Sequence, residues 1–383
     1  MSAIAGRATA EGTQRYKERH NQNCAADHFR EANSLVASSI GIGTYLGESD
    51  ELTDTLVTAA VIESVQQGTN VIDSAINYRY QQGERSVGKA IRQLVTSTDV
   101  SRDELIICTK GGVLPYPNTN QSEWFYRHYV EPNNSSISMD DLAEERYCIH
   151  PEYIQDQLNR SLANLDIKTI DVYYIHNPEK QLSQVEPDVF YNQLRKVFEV
   201  LEDAILVGKI ANYGLATWNA FRVPPNQSDH IDLSRAKSIA REVAGNKEDR
   251  FRFIQFPLNM AMPEALLYPT QMLGGEQIST LEAADRLGIA AIASKSICQA
   301  QVAGKIPENI ASVFGDRLGT DCQRALQYTR SAPGLLSALV GMKTPKHIRE
   351  NLAITAIPQL ERANFHKLTE LIAQVLNLPF PNS

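Results

Sequence analysis

GTNVIDSAINYRYQQGERSVGKAI, residues 68–91, holds one full period of the pattern that organises this chain. NVID is a short apolar, β-branched run that ends on Asp73. A polar turn carrying Tyr78 follows, and ERSVGKAIRQL (84–94) then places apolar residues at helical spacing. Strand, turn and helix in that order make a βα unit.

Working outward, eight such units follow one another. The strand-like runs are SSIGIG (38–43), NVIDSA, ELIICTK, IDVYYIH, ANYGLAT, FRFIQF, IAAIAS and SALVGM, and amphipathic stretches separate them. Strands buried on both faces read as unbroken apolar runs, and parallel neighbours need helical crossovers. The repeat therefore predicts an α/β fold, a closed (β/α)8 TIM barrel, with an open doubly wound sheet as the alternative.

Thr53, Thr55 and Ser234 stand near helix starts, and Gly68, Gly208, Gly245 and Gly288 near helix ends, where a left-handed cap suits glycine. Long connections run over 111–149, 218–231, 257–277 and 297–320. All follow strands, so they are expected to gather over the C-terminal face and shape a substrate site. FHKLTELIAQVLNL reads as an extra C-terminal helix. The expected division is an N-terminal arm, 1–35, and a single barrel domain, 36–383.

The composition is that of an ordinary globular protein, 43% hydrophobic and 21% charged. Net charge is -8 and the basic residues are scattered, which argues against a nucleic-acid partner. No run approaches the roughly 18 apolar residues of a spanning helix, and the N-terminus has no apolar core of a signal peptide. A cytoplasmic, soluble protein without membrane association is expected. The five cysteines form no CxxC pair, so neither a disulfide framework nor a metal site is indicated. Cys108 reads as a buried spectator thiol.

Four polar residues close successive strand-type runs: Asp73, Tyr78 just beyond it, Lys110 and His176. A carboxylate, a phenol, an ammonium and an imidazole so placed form a proton-donating set. GIGTYLG (41–47) suggests a dinucleotide fingerprint, but its third glycine comes one residue late, and Glu48, Asp50 and Glu51 would repel a pyrophosphate at the next helix start. It reads instead as a turn lining the barrel mouth, where Gly43 and Thr44 could approach a ligand.

The segments 68–91, LIICTKGG (105–112), SLANLDIKTIDVYYIHNPE (161–179), YGLATWN (213–219), FIQFPLN (253–259) and GMKTPKHIRENL (341–352) together resemble the aldo-keto reductase family. That resemblance implies reduction of an aldehyde or ketone by a nicotinamide cofactor, with Asp73, Tyr78, Lys110 and His176 as catalytic residues. The chemistry agrees. A hydride acceptor needs a proton for its developing alkoxide, so Tyr78 is the expected acid. Lys110 is expected to lower the Tyr78 pKa, Asp73 to orient Lys110, and His176 to hydrogen-bond the carbonyl oxygen.

The resemblance further assigns cofactor contacts to Gln255, Ser294, Lys343, Thr344, His347, Glu350 and Asn351, beside Gly43, Thr44 and Asp73. Departures from the family pattern also stand out. Ala216 and Thr217 occupy the usual Ser-Asn positions, Ser294 replaces a stacking aromatic, and His347 stands where an arginine often meets a 2′-phosphate. Lys343 and Thr344 at a helix start favour NADPH over NADH, without excluding NADH. Lys295 and the aromatic run Trp124, Phe125 and Tyr126 hint at a polar or anionic carbonyl substrate. Two other functions stay open: a non-catalytic nicotinamide-binding redox sensor, and a Schiff-base lyase using Lys110 or Lys295.

Overall fold

Eight strands close a parallel barrel, each followed by a helix, in the computed structural model, which describes residues 2–116, 120–132 and 136–378. The strands are β1 (Ile40–Gly43), β2 (Val71–Asp73), β3 (Ile106–Gly111), β4 (Ile170–His176), β5 (Ile210–Ala216), β6 (Phe251–Pro257), β7 (Ala290–Ser294) and β8 (Leu335–Gly341). Pairing of Val340 with Ile42 and Gly341 with Gly43 joins β8 to β1. The outer helices are α1 (Glu51–Gln66), α2 (Gln82–Ser97), α3 (Pro151–Leu165), α4 (Pro187–Leu206), α5 (Leu233–Ala244), α6 (Thr280–Arg286), α7 (Asp321–Arg330) and α8 (Pro345–Leu352). The expected barrel is thus the observed fold, and the C-terminal helix spans Arg362–Val375.

The two-residue period of the strands sorts the core into two clusters. Outward-facing Ile72, Ile107, Ile175, Leu215 and Ile254 pack under the helices. Inward-facing Val71, Cys108, Val172, Tyr174, Phe253 and Ile292 fill the barrel. Cys108 is buried, as expected of a spectator.

The helix ends follow local chemistry, with one correction. Gly68, Gly208, Gly245 and Gly288 all take positive φ at helix ends. The caps are Asp50 and Asp232 rather than Thr53, Thr55 or Ser234: Asp50 accepts from Thr53 N at 2.7 Å, and Asp232 from Arg235 N at 3.0 Å. A carboxylate one turn upstream is the stronger acceptor for the first free N–H groups.

Two features lie among the first 38 residues. A helix, Ala10–His20, buries Gly12, Thr13, Tyr16 and His20. An antiparallel hairpin, Phe29–Ala32 with Leu35–Ser38, caps the N-terminal end of the barrel, where Leu35 and Ala37 join the inner cluster. Asn70 ties hairpin to barrel: its Oδ1 accepts from Ser38 N and its Nδ2 donates to Val36 O, both at 2.8 Å. The floor is therefore sealed, and access is left to the C-terminal face. Among the described residues, no helix is long and apolar enough to cross a membrane.

Candidate active site

The inner-face alternation that fills the barrel also builds its top layer. Two residues above Val71, Cys108, Tyr174, Phe253 and Ile292 on their own strands stand Asp73, Lys110, His176, Gln255 and Ser294. Lys110 is buried and spends all three N–H donors, on Asp73 Oδ1 (2.5 Å), Ser74 O (2.8 Å) and Tyr78 Oη (3.2 Å). The second Asp73 oxygen accepts from Gln255 Nε2 at 2.8 Å. Thr44 fixes the same corner from β1, donating to Ser74 Oγ at 2.9 Å.

Tyr78 comes from the turn between β2 and α2. Directly after it, Arg79, Tyr80 and Gln81 are left-handed in succession, with φ of 47°, 53° and 74°. Each costs on the order of 1 kcal/mol or more for a side chain with a Cβ. Arg79 holds the turn: its buried guanidinium pairs with Asp54 and donates to Ser86 Oγ and Gln82 O. The phenol consequently sits beside Lys110, with its ring 6.0 Å from His176 and 5.0 Å edge-on to Tyr45. All four candidate residues are brought together.

Burial pulls the Lys110 pKa down, but Asp73 and Tyr78 outweigh it, so the ammonium is held above the usual lysine range. Burial raises the Asp73 carboxyl against the pull of Lys110, and the geometry of three spent N–H donors makes the pair an ionised one. The expected lowering of Tyr78 is corrected. Lys110 does pull the phenol down, but burial outweighs it and the net direction is up. The physical reason is the burial of the phenol, to which the neighbouring Asp73 carboxylate adds. His176 is pushed well below the usual histidine range by burial, then by Lys110 and Arg146. It is a neutral imidazole at ordinary pH.

A cavity of about 760 Å³ opens above this floor. Asp73, Tyr78 and His176 line it, with Lys110 lying beneath. Of the remaining cofactor candidates, Gly43, Thr44, Gln255, Ser294, Lys343, His347, Glu350 and Asn351 also line it. Thr344 does not: it caps α8, accepting from His347 N at 3.4 Å. Glu350 accepts from Thr320 Oγ1 at 2.7 Å, and Gln255 has already committed its amide N–H to Asp73.

The substrate-side expectations hold in part: Lys295 lines the cavity, its ammonium over the Trp218 ring, but the aromatic run does not. Phe125 is fully buried against Tyr153, Trp124 packs on Tyr116 and His128, and neither they nor Tyr126 line the cavity. Of the 111–149 connection, residues 117–119 and 133–135 lie outside the described residues. Its reach into the cavity comes from Val113, Arg146 and Tyr147. Gly112, with φ of 119°, turns the chain out of β3, and Val113 then bridges Tyr147. The 257–277 connection contributes only its first residue to β6 and none to the cavity, forming its own hairpin of Gln271–Leu273 with Glu276–Ile278.

Asn77, Arg146 and Tyr147 line the cavity and escape a reading of the sequence. Asn77 Oδ1, Thr217 Oγ1 and His176 Nδ1 are buried with no hydrogen-bond partner among the described residues. Asn77 adjoins Tyr78 in the quoted motif, and that adjacency is the signal that could have found it. Arg146 and Tyr147 leave no such trace. Behind the wall, Glu179 on the β4–α4 connection accepts from Trp218 N (2.6 Å) and Asn219 N (3.3 Å), and burial pushes its carboxyl up to about 7.

Comparison with known proteins matches residues 39–224 to the Aldo/keto reductase family. The chain spans about half the length of the curated relatives it matches. It is 24% identical over 209 residues to the NADH-specific methylglyoxal reductase of Escherichia coli, covering 53% of this chain and 56% of that protein. It is 27% identical over 191 residues to the aldo-keto reductase YhdN of Bacillus subtilis, covering 48% of this chain and 45% of that one. Among solved structures, a Klebsiella pneumoniae aldo/keto reductase in complex with NADP and acetate aligns with a TM-score of 0.59 at 18% identity, covering 94% of this chain and 98% of its own. The glycerol dehydrogenase of Gluconobacter oxydans gives 0.59 at 16% identity, covering 94% and 99%. With its eight-stranded barrel in place, the chain is identified over residues 39–224 with the aldo/keto reductase family.

Proposed function

We propose that this protein reduces an aldehyde or ketone to an alcohol with NADPH, and that Tyr78 supplies the proton. The observation that carries the reading is the Lys110 ammonium bridging Asp73 and Tyr78 beneath an open cavity. The family match over residues 39–224 supports it, as do relatives described as reductases and structural neighbours in complex with NADP.

The residues present fit a nicotinamide nucleotide. Thr217 and Asn77 line the cavity, each with a buried polar atom, Oγ1 and Oδ1, that has no partner among the described residues, and a carboxamide offers both a donor and an acceptor. Lys343 and the N-terminus of α8 suit a phosphate, which favours NADPH. When bound, the cofactor supplies the hydride. The chain supplies the rest. His176, neutral, hydrogen-bonds the carbonyl oxygen, and Tyr78, kept protonated by its raised pKa, donates to that oxygen as negative charge develops. Lys110 stabilises the phenolate left behind, and Asp73 holds Lys110 in place.

Lys110 is a poor Schiff-base nucleophile, since its amine is fully hydrogen-bonded and held charged. The redox-sensor reading draws on Ala216 and Ser294, which offer neither the amide contact nor the stacking face of the family pattern.

The test is titration with NADPH and NADH by nicotinamide fluorescence, then turnover of an aldehyde panel by wild type and Tyr78→Phe. NADPH is expected to bind the tighter. Turnover should fall by about 100-fold to 10,000-fold in the variant, with binding retained. Binding without turnover of any carbonyl by wild type would leave the sensor. Failure to bind either nucleotide would sink both.

A further inference from the structure

We infer that the substrate carries a carboxylate, and that Arg146 binds it. The inference rests on the reductase reading and assigns its substrate class.

The two ends of the cavity differ in charge and in place. Lys343, His347, Glu350 and Asn351 belong to the end of β8 and to α8. Across the barrel, above β3 and β4, the wall carries Arg146 and Lys180. A nucleotide anchored over β8, with its reactive end above Tyr78, leaves the β3–β4 side to the substrate.

Arg146 is held there by backbone bonds. Its N–H donates to Ala143 O (2.9 Å), its carbonyl accepts from Leu114 N (3.0 Å), and neighbouring Cys148 N donates to Gly112 O (2.9 Å). Its guanidinium has no carboxylate within 4.0 Å among the described residues, and its Nε is buried without a hydrogen-bond partner.

Three acids around this wall are committed elsewhere, and Glu145, adjacent in sequence, is exposed and forms no ion pair with Arg146. Asp73 is bound to Lys110 and Gln255, Glu144 pairs with Lys180 at 3.2 Å, and Glu179 holds the backbone of Trp218 and Asn219. A buried, unpaired guanidinium N–H is costly, and the planar fork is suited to two parallel bonds with a carboxylate. Arg146 is also near enough to depress the histidine that faces the carbonyl. One substrate can therefore span both, its carbonyl oxygen between Tyr78 and His176 and its carboxylate on Arg146. Lys180, partly neutralised by Glu144, adds attraction at the mouth.

The experiment compares 4-oxobutanoate and 4-carboxybenzaldehyde with their uncharged methyl esters, in wild type, Arg146→Met and Arg146→Lys. Calorimetric binding of 4-carboxybenzyl alcohol is set against its methyl ester in the presence of NADP. Wild type should prefer the acid by about 10-fold to 100-fold in kcat/KM, mainly through KM, and in binding. Arg146→Met should erase the preference and Arg146→Lys restore part of it. No preference for either acid in wild type, or a preference that survives Arg146→Met, overturns the inference even where every aldehyde is turned over. An Arg146-dependent preference in binding, with no aldehyde turned over, supports the anion site while the reductase reading fails.

Discussion

The rim over β2 and β3 and the rim over β5 to β8 are built on opposite terms. On the first, Asp73, Lys110 and Tyr78 satisfy one another, and the ion pair is buried. On the second, Thr217 keeps a buried hydroxyl with no partner, Ser294 is half-buried where the family pattern stacks a ring, and Lys343 and His347 stand at the open end of α8. The Asp73, Lys110 and Tyr78 group is complete without a ligand, and the other rim has polar groups left for one. Proton donation asks for that difference, because a dry, fixed ammonium loses nothing to reorganisation when charge appears beside it. A nucleotide that enters and leaves asks for groups that can be paired and unpaired.

The widest separation between the rims is expected when a lysine is removed from each. Lys110→Met leaves the Asp73 carboxylate buried with Gln255 alone, and should cost about 3–5 kcal/mol of stability besides abolishing turnover. Lys343→Met should change stability by less than about 0.5 kcal/mol and show itself in NADPH affinity. Denaturant midpoints of the two variants decide the matter. Equal losses would remove the contrast.

Between the rims stands Glu179, and it offers a test by pH. The folded carboxyl is raised to about 7, above the ordinary 4.5, by burial, and its Oε2 has no hydrogen-bond partner among the described residues. A raised acid binds its proton more tightly folded than unfolded, so stability falls as pH rises from about 4.5 to about 7. Below that window both states are protonated, and above it the loss is complete, on the order of 3 kcal/mol. Glu179→Gln keeps the acceptor for Trp218 and Asn219 and removes the titration. Its unfolding free energy should lack this fall when pH 5 is compared with pH 8. A wild-type fall that persists in the variant would assign the effect to another group.

What the sequence made legible follows the same divide. Asp73, Lys110, His176 and Gln255 stand on strands whose two-residue period fixes the face each side chain takes, so run length and position alone put them in one layer. Arg146 is placed by a loop folding back on Val113, and Glu179 by backbone N–H groups 39 and 40 residues further along, neither of which leaves a periodic pattern. The N-terminal helix was hidden for another reason. Its buried face, Gly12, Thr13, Tyr16 and His20, is not an apolar stripe. Trp124, Phe125 and Tyr126 failed in the opposite sense: aromatic character marks burial as readily as recognition, and Phe125 packs into the core.

The finest probe of the contrast is Thr217→Val. A buried hydroxyl without a partner costs the free protein about 1 kcal/mol, and valine fills nearly the same volume without it. Without nucleotide, the variant should therefore unfold at slightly higher denaturant than wild type. On the proposal that the hydroxyl hydrogen-bonds the carboxamide, the sign should reverse with NADPH, and its loss should weaken binding about 5-fold. Asp73, Lys110 and Tyr78 on the β2 and β3 rim would behave differently, since their partners are already in place and removal costs stability with or without ligand. Calorimetric unfolding of Thr217→Val in both states reads the sign directly. Destabilisation in both would place Thr217 with Lys110 among the fixed supports of the barrel, not among the groups held ready for a ligand.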